Sequence, residues 1–200
     1  MHPNRLFQSD DRALAETLLD SIGFGTVFAA TAEGPRVAHT PLLAVGGGRV
    51  RFHLSRGNAL TGALAGQHAL CVVNGPDGYV SPRWYSDSRQ VPTWNYVALE
   101  LEGPITMLDR DGLHDLLDRL SARHESRIVG GAPWTMDKTP TDLLERMLGA
   151  IVGFEMRVHT TRLTNKLSQN KPAGERARVA DGLAAQGATA LATLMREQAA

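Results

Sequence analysis

The sequence lacks the features that mark secreted and membrane proteins. A single cysteine, Cys71, is present among 200 residues, so a disulfide framework is excluded and a reducing compartment is indicated. No apolar run approaches the roughly 18 residues that a membrane-spanning helix needs. Residues 1–16 contain no apolar core of the signal-peptide type. These absences predict a cytoplasmic protein.

The chain also lacks an excess of charge of either sign. Lys plus Arg and Asp plus Glu both number 21, so the formal net charge is zero. A balanced chain has no long-range field that would attract nucleic acid. No helix-turn-helix pattern is evident, and the Ala-rich C-terminal segment carries few adjacent cations. Direct DNA binding is therefore doubtful on sequence grounds.

Motifs of metal, hydrolase and nucleotide sites are missing as well. The histidines pair neither at i,i+4 nor with a cysteine neighbour, so no metal site is predicted. There is no G-x-S-x-G, no Walker loop and no G-x-G-x-x-G, and the glycines at 46–48 are typical of a hairpin tip. No catalytic acid or base stands out, which is expected where a cofactor supplies the chemistry.

What is present is a pattern of antiparallel strands with several helices. Ser9 and Asp10 precede an apolar helical repeat that Gly23 ends. Residues 25–57 alternate in the way that predicts three strands joined by glycine-rich turns. The other predicted helices cover 58–67 with Asn58 as N-cap, 109–125, 139–150 with Thr139 or Thr141 as N-cap, and 171–200 with a break at Gly187.

Three further strands complete the predicted sheet. Residues 68–78 predict a buried strand closed by a turn at "NGPDG". Residues 91–109 predict a long strand that bends at Gly103-Pro104, as a small barrel requires, and a last strand begins at Ile151. The sequence therefore predicts a single α+β domain over residues 1–200, with about six antiparallel strands and a helical extension over about 171–200.

One candidate anion site lies in "FHLSRGNAL", which runs from strand through loop to the predicted helix. Free N–H groups and the positive end of a helix dipole favour a phosphate there. Arg56 can hold two phosphate oxygens, and Ser55 and Asn58 can add hydrogen bonds. The alternative is a plain capped turn with an exposed arginine.

A planar heteroaromatic ligand would need flat contacts and a few donors and acceptors at its edge. The strand "VAHTPLL" can supply backbone edges with His39 and Thr40, and "VPTWNY" can supply Thr93, Trp94 and Asn95. Packing in the core or at an interface is the alternative for these aromatic residues.

Three blocks, "YVSPRWY", "VPTWNYVALELEG" and "KLSQNKPAGERARVADGL", occur in this order together with "HTPLL" and "FHLSRGNA". In this combination the chain resembles the FMN-binding negative transcriptional regulator family, the PaiB-type proteins, over nearly its whole length. The resemblance implies an antiparallel split β-barrel with peripheral helices, as in pyridoxamine phosphate oxidase-like flavoproteins. It also implies a homodimer that binds FMN between its subunits.

The resemblance and the patterns above together predict a set of cofactor-binding residues. These are His39, Thr40, Pro41, His53, Leu54, Ser55, Arg56, Asn58, Trp84, Thr93, Trp94, Asn95, Lys166 and Gln169. Gly57 and Asn58 stand where the wider superfamily has a lysine in its phosphate-binding turn. The segment "KLSQN" has two open interpretations, since it could fold over the ligand or fix the C-terminal helices.

The implied function is that of an FMN-binding flavoprotein, with possible flavin-dependent redox activity fed by a nicotinamide donor, or a regulatory role. One alternative is a negative transcriptional regulator that acts directly or indirectly on DNA. Another is a haem-binding split barrel, for which His39, His53 and His159 are the candidate axial ligands.

Overall fold

The computed structural model describes residues 2–87 and 89–198, and within these residues it contains nine β-strands and five α-helices. The chain divides into two compact units. Unit 1 comprises the described residues of Met1–Ala15, Asn74–Glu100 and Arg162–Ala200, and unit 2 comprises Glu16–Val73 and Leu101–Thr161. Each unit is thus assembled from separate segments of the sequence.

The elements alternate irregularly along the chain, as is typical of α+β proteins. The α-helices are α1 Arg12–Ile22, α2 Arg110–Glu125, α3 Thr141–Gly149, α4 Ala173–Ala185 and α5 Thr189–Glu197. The strands are β1 Gln8–Ser9, β2 Phe24–Thr31, β3 Gly34–Pro41, β4 Leu43–Gly46, β5 Arg49–Ser55, β6 His68–Val80, β7 Thr93–Met107, β8 Ile151–Arg157 and β9 Thr160–Lys166. Short 3-10 helices cover Arg5–Phe7, Pro82–Trp84 and Met136–Lys138.

The strand pairing of unit 2 is antiparallel throughout. β2 pairs with β3 along its whole length and with the first half of β6. β5 pairs with β4 on one side and with β8 on the other, and the end of β7 pairs with β8. Side chains along these strands alternate between buried and exposed, which creates one inner face.

Two helices cover one part of the sheet in unit 2. Asp109 caps α2 by accepting a hydrogen bond from the N–H of Gly112 at 2.8 Å. The buried leucines of α2 recur at helical spacing and pack with a leucine of α3 and one of β4. This cluster consists of Leu113, Leu116, Leu120, Leu148 and Leu43.

Unit 1 pairs a short N-terminal strand with the last strand of the chain. Gln8 lies opposite Thr164, and Ser9 lies opposite Leu163. The helices α4 and α5 bury Val179, Leu183, Leu191 and Met195, among others. Gly187 separates the two helices at a φ of 88°, a left-handed conformation that glycine adopts without strain.

Most strongly patterned elements match the predictions from sequence. The first helix, α2 and the break at Gly187 are confirmed, and so is the α+β antiparallel fold with peripheral helices. The predicted N-cap of the first helix was wrong, because Ser9 lies in β1 and Asp11 accepts the capping hydrogen bond from the N–H of Leu14 at 3.0 Å. The sheet has more strands than predicted. The second predicted strand is interrupted at Leu42 and the last one at Val158 and His159, and the short strand β1 was not predicted. The N-cap of α3 is Pro140 without a side-chain hydrogen bond, so the predicted threonine caps were wrong.

The predicted helix over 58–67 was wrong, since these residues form successive turns. Part of the reason lies in Gly66 and Gln67, whose backbone groups exchange hydrogen bonds with Ile105 of β7 at 2.9 and 2.8 Å instead of continuing a helix. The predicted turn at "NGPDG" was also wrong, because β6 continues through it to Val80. A Cβ on Gly78 would contact Leu183, so the glycine there serves close packing.

Candidate functional site

The predicted cofactor-binding residues fall into two groups, one in each unit. The group in unit 2 lies on β3, on β5 and in the turn after β5, and contains His39, Thr40, Pro41, His53, Leu54, Ser55, Arg56 and Asn58. The group in unit 1 contains Trp84, Thr93, Trp94, Asn95, Lys166 and Gln169. Within each group, hydrogen bonds show which residues the fold brings together.

Thr40 and His53 connect β3 to β5. The buried hydroxyl of Thr40 donates a hydrogen bond to the backbone carbonyl of His53 at 2.6 Å. His39 points to the opposite side of β3, as alternation in a strand requires, and its Nδ1 lies 3.0 Å from the hydroxyl of Thr26. His39 and Thr40 therefore present their side chains to different faces of the sheet.

His53 is half-buried, and one nitrogen of its imidazole lacks a hydrogen-bond partner in the described part of the chain. Its Nδ1 is buried and has no hydrogen-bond partner among the described residues. Burial lowers the pKa of His53 below its ordinary value of 6.5, because the charged imidazolium loses its hydration. His53 is consequently neutral at neutral pH. An unpaired nitrogen of this kind costs free energy unless a ligand or water meets it.

The turn after β5 is held by its own side chains. Thr61 donates its hydroxyl proton to the carbonyl of Ser55 at 2.7 Å, and the side-chain oxygen of Asn58 accepts from the N–H of Leu60 at 2.9 Å. Because no helix follows, the predicted helix dipole does not contribute here. Ser55 and Arg56 remain exposed at the end of the strand.

Arg56 contacts the backbone that leads into β8. Its Nε donates to the carbonyl of Gly149 at 2.9 Å, and its Nη2 lies 3.4 Å from the carbonyl of Ile151. A guanidinium has five N–H donors, so these two contacts leave capacity for an anion. These contacts also fix the orientation of the guanidinium beside the turn.

In unit 1, Lys166 is bonded to the start of β7. Its Nζ donates to the hydroxyl of Thr93 at 2.7 Å and to the carbonyl of Trp94, and it lies 5.8 Å from the ring centre of Phe7. Burial lowers the pKa of Lys166. The indole of Trp94 is 53% exposed and meets the ring of Tyr79 edge-on at 6.2 Å. Trp94 is thus available to a ligand or a second subunit.

Asn95, the next residue on β7, points inward. Its side-chain Nδ2 donates to the hydroxyl of Ser168 at 2.9 Å, and the thioether of Met195 lies 3.4 Å away. Gln169 is engaged locally, since its side chain accepts from the N–H of Leu167 and donates to the carbonyl of Asn165. The "KLSQN" segment therefore forms a turn closed by its own side chains, with Ser168 directed at β7.

Trp84 packs against the C-terminal helices. A Cβ on Gly182 of α4 would overlap its indole ring, so only glycine allows this approach. Nearby, the N–H of Ser86 donates to both carboxylate oxygens of Glu175, at 3.2 and 3.1 Å, and the Ser86 hydroxyl bonds the same carboxylate. The hydrogen bond from the hydroxyl is the main cause that lowers the pKa of Glu175.

Gly182 is a structural residue of this region that the sequence did not indicate. Ser168 belongs to the "KLSQN" segment, for which two roles were open, but its partner on β7 was not predicted. Ser168 hydrogen-bonds Asn95 across 73 positions of sequence, a pairing that spacing alone does not reveal.

Comparison with known proteins identifies the family. Residues 1–160 match the family described as "Putative FMN-binding domain". The chain belongs to this family. It is also 34% identical over 155 residues to "Protease synthase and sporulation protein PAI 2" of Bacillus subtilis, which covers 74% of this chain and 72% of that relative. The PaiB-type resemblance is thereby confirmed, and membership in the family supports a flavin, FMN, as the cofactor.

Solved structures of similar fold include flavin-binding proteins. The FAD and heme binding protein from Mycobacterium smegmatis is 24% identical, with a TM-score of 0.62 over 85% of this chain and 78% of that one. The flavocytochrome Anf3 from Azotobacter vinelandii is 17% identical, with a TM-score of 0.60 over 88% and 78%. At these identities the similarity establishes the fold alone.

None of the described helices combines the length and hydropathy that crossing a bilayer requires.

Proposed function

We propose that the protein is a cytoplasmic, homodimeric flavoprotein that holds FMN between its subunits and exchanges electrons with a nicotinamide donor. Family membership supports the cofactor. The structural observation that carries the site is the unpartnered Nδ1 of His53 on β5, beside the exposed turn of Ser55 and Arg56. A free thiol at Cys71, which is buried, fits a reducing compartment.

The unit 2 group fits FMN by the chemistry of its donors. The hydroxyl of Ser55 and the remaining N–H groups of Arg56 would hold the phosphate, with Asn58 beside them. The neutral imidazole of His53 would meet a polar edge of the ring system, with Thr40, Pro41 and Leu54 at the same strand ends. His39 lies on the opposite face of β3, where it would reach a ligand at the subunit interface.

Bound FMN would supply two-electron redox chemistry, and the protein would bind it and control access to it. The backbone carbonyl of His53 accepts a hydrogen bond from the hydroxyl of Thr40 at 2.6 Å. The imidazole is therefore the group of His53 that would meet the ligand. In unit 1, the exposed Trp94 is the proposed flat contact, and Trp84, Thr93, Lys166 and Gln169 are the other proposed contacts, whereas Asn95 is buried against Ser168.

The homodimer is proposed from an apolar outer face on β2 and β3. Phe24, Phe28 and Val37 are 52%, 38% and 48% exposed, and Phe28 lies directly opposite Val37 in the strand register. His39 shares this face through its contact with Thr26. Clustered exposed apolar side chains of this kind mark interaction surfaces. A second copy would bury them and bring His39 to the interface.

The decisive experiment is to purify the recombinant protein and record its visible spectrum before and after addition of FMN. We expect flavin absorption bands that persist through gel filtration and bleach on addition of a nicotinamide donor under anaerobic conditions. A colourless protein that also fails to take up added FMN would contradict the assignment. A Soret band after haem titration, lost on substitution of His53, would favour the haem-binding alternative instead.

The regulatory function implied by the family is proposed to be indirect, because the chain carries no net charge. A gel-shift titration against salt separates the two cases. Direct binding requires a bound state that weakens as salt rises, since phosphate contacts release counterions. We expect no such state.

A further inference from the structure

One buried hydroxyl connects the two aromatic segments of unit 1. Ser168 Oγ lies 2.9 Å from Nδ2 and 3.2 Å from Oδ1 of Asn95. The Ser168 hydroxyl also faces Tyr85, where it counteracts the rise in the pKa of the phenol that burial causes. Ser168 and Asn95 are 4% and 1% exposed. Asn95 follows Trp94 in sequence, and Tyr85 follows Trp84. The hydroxyl thus bonds the neighbour of Trp94 and faces the neighbour of Trp84.

The backbone at Ser168 is unfavourable for a residue with a side chain. Among the described residues, it is the non-glycine position with a positive φ, at 63°. L residues disfavour this left-handed conformation because Cβ crowds the backbone, whereas glycine adopts it freely. Such conformations persist where surrounding contacts determine them. What serine offers over glycine here is the hydroxyl, with its hydrogen bond to Asn95 and its contact with Tyr85.

The C-terminal segment adds further contacts to the same aromatic residues. Asn95 also reaches the thioether of Met195 on α5, and Trp84 packs on Gly182 of α4. Lys166 bonds the carbonyl of Trp94. All these partners lie after residue 160, where the family match ends. A segment outside the matched region therefore supports residues inside it.

We propose that Ser168 and Asn95 are positioning residues, which orient Trp94 and Trp84 for the flavin and touch no ligand themselves. The "KLSQN" turn is then an internal support for the aromatic segments. The proposal rests on the proposed function, because it takes Trp94 as a flavin contact. It resolves the two open interpretations of "KLSQN" in favour of the one that fixes the C-terminal helices.

The test compares Ser168→Gly with Ser168→Ala. Both remove the hydroxyl, but glycine relieves the backbone strain that alanine keeps, so stability and positioning are separated. Thr31→Val is the matched control, since it removes a hydroxyl that donates to the carbonyl of Gly34 at 2.7 Å in unit 2. The main readout is the indole N–H resonances of the ligand-free protein, assigned by their loss in Trp94→Phe and Trp84→Phe.

We expect Ser168→Gly to shift or broaden the Trp94 and Trp84 resonances. Its melting temperature should be no lower than that of Ser168→Ala. FMN should bind about tenfold more weakly to both variants, and normally to Thr31→Val. Resonances at wild-type positions in Ser168→Gly would overturn the proposal. Should Ser168→Ala fail to fold, Ser168→Gly decides alone. Shifted resonances in a protein whose wild type binds no FMN would support the positioning role and refute the flavin assignment.

Discussion

His53 is the residue whose chemistry is most sensitive to acid. Its pKa is lowered by burial in the folded state, whereas the unfolded chain returns it to about 6.5. Below that pH the unfolded chain binds the proton more readily than the folded chain does, so stability is present above pH 6.5 and declines as the pH falls. Protonation of His53 therefore opposes folding.

Replacing His53 with glutamine should reduce this acid sensitivity. We expect the wild-type midpoint in urea to decline as the pH is lowered from about 6.5, and the His53→Gln midpoint to decline less. The measurement is urea unfolding of the ligand-free protein at several pH values. His114→Gln, at an exposed position of α2, is the control. Parallel curves for wild type and His53→Gln would contradict the prediction.

Trp94 and Trp134 offer a comparison of two partly exposed tryptophans. Trp94 is the second residue of β7, whereas Trp134 lies in the loop between α2 and α3 and is 40% exposed. Trp94→Ala should weaken FMN binding about tenfold or more, because it removes a flat aromatic contact. Trp134→Ala should leave it unchanged, as fluorescence titration would show. Full FMN occupancy in both variants would remove Trp94 from the site.

At the scale of elements, the contact between Trp84 and α4 depends on one missing methyl group. In Gly182→Ala the new methyl group would overlap the indole ring of Trp84, so either Trp84 or α4 must move. We expect a loss of about 1 to 3 kcal/mol in the free energy of unfolding, as overpacking usually causes. Gly174→Ala is the matched control, because nothing lies near a Cβ there. Equal stability of the two variants, measured by urea unfolding, would show that Trp84 does not pack on α4.

Elements with strong local signals could be predicted from the sequence, and elements defined by distant partners could not. α2 has an N-cap and a leucine face within its own residues. Residues 58–67 have an N-cap residue and apolar positions too. The backbone groups of Gly66 and Gln67, however, form hydrogen bonds with Ile105 of β7. The continuation of β6 through "NGPDG" likewise overrides the turn preference of those residues.

The same distinction applies to the candidate site. The strands that carry it were predictable, because their motifs are contiguous in sequence, whereas the turn after β5 was predicted as a helix. The side on which each residue points was not, so His39 was grouped with Thr40 and Trp94 with Asn95 although neighbours in a strand face opposite ways. The contact of Asn95 with Ser168 depends on how two distant segments fold together.

For the whole molecule, the apolar outer face predicts the oligomeric state. We expect the wild-type protein to sediment at about twice its chain mass of 21.6 kDa. Phe28→Glu should shift it toward the monomer, because a buried unpaired carboxylate at the interface is costly. Val129→Glu, at a fully exposed position outside this face, is the control. A wild-type monomer would contradict the proposal.

The pairing of β1 with β9 has a consequence for synthesis of the chain on the ribosome. Gln8 finds its partner only when Thr164 has been made, and translation proceeds at roughly 5 to 20 residues per second. The first strand therefore leaves the exit tunnel several seconds before its partner exists. During that interval its backbone donors and acceptors have no strand to pair with, so β1 joins the sheet only after most of the chain has been made.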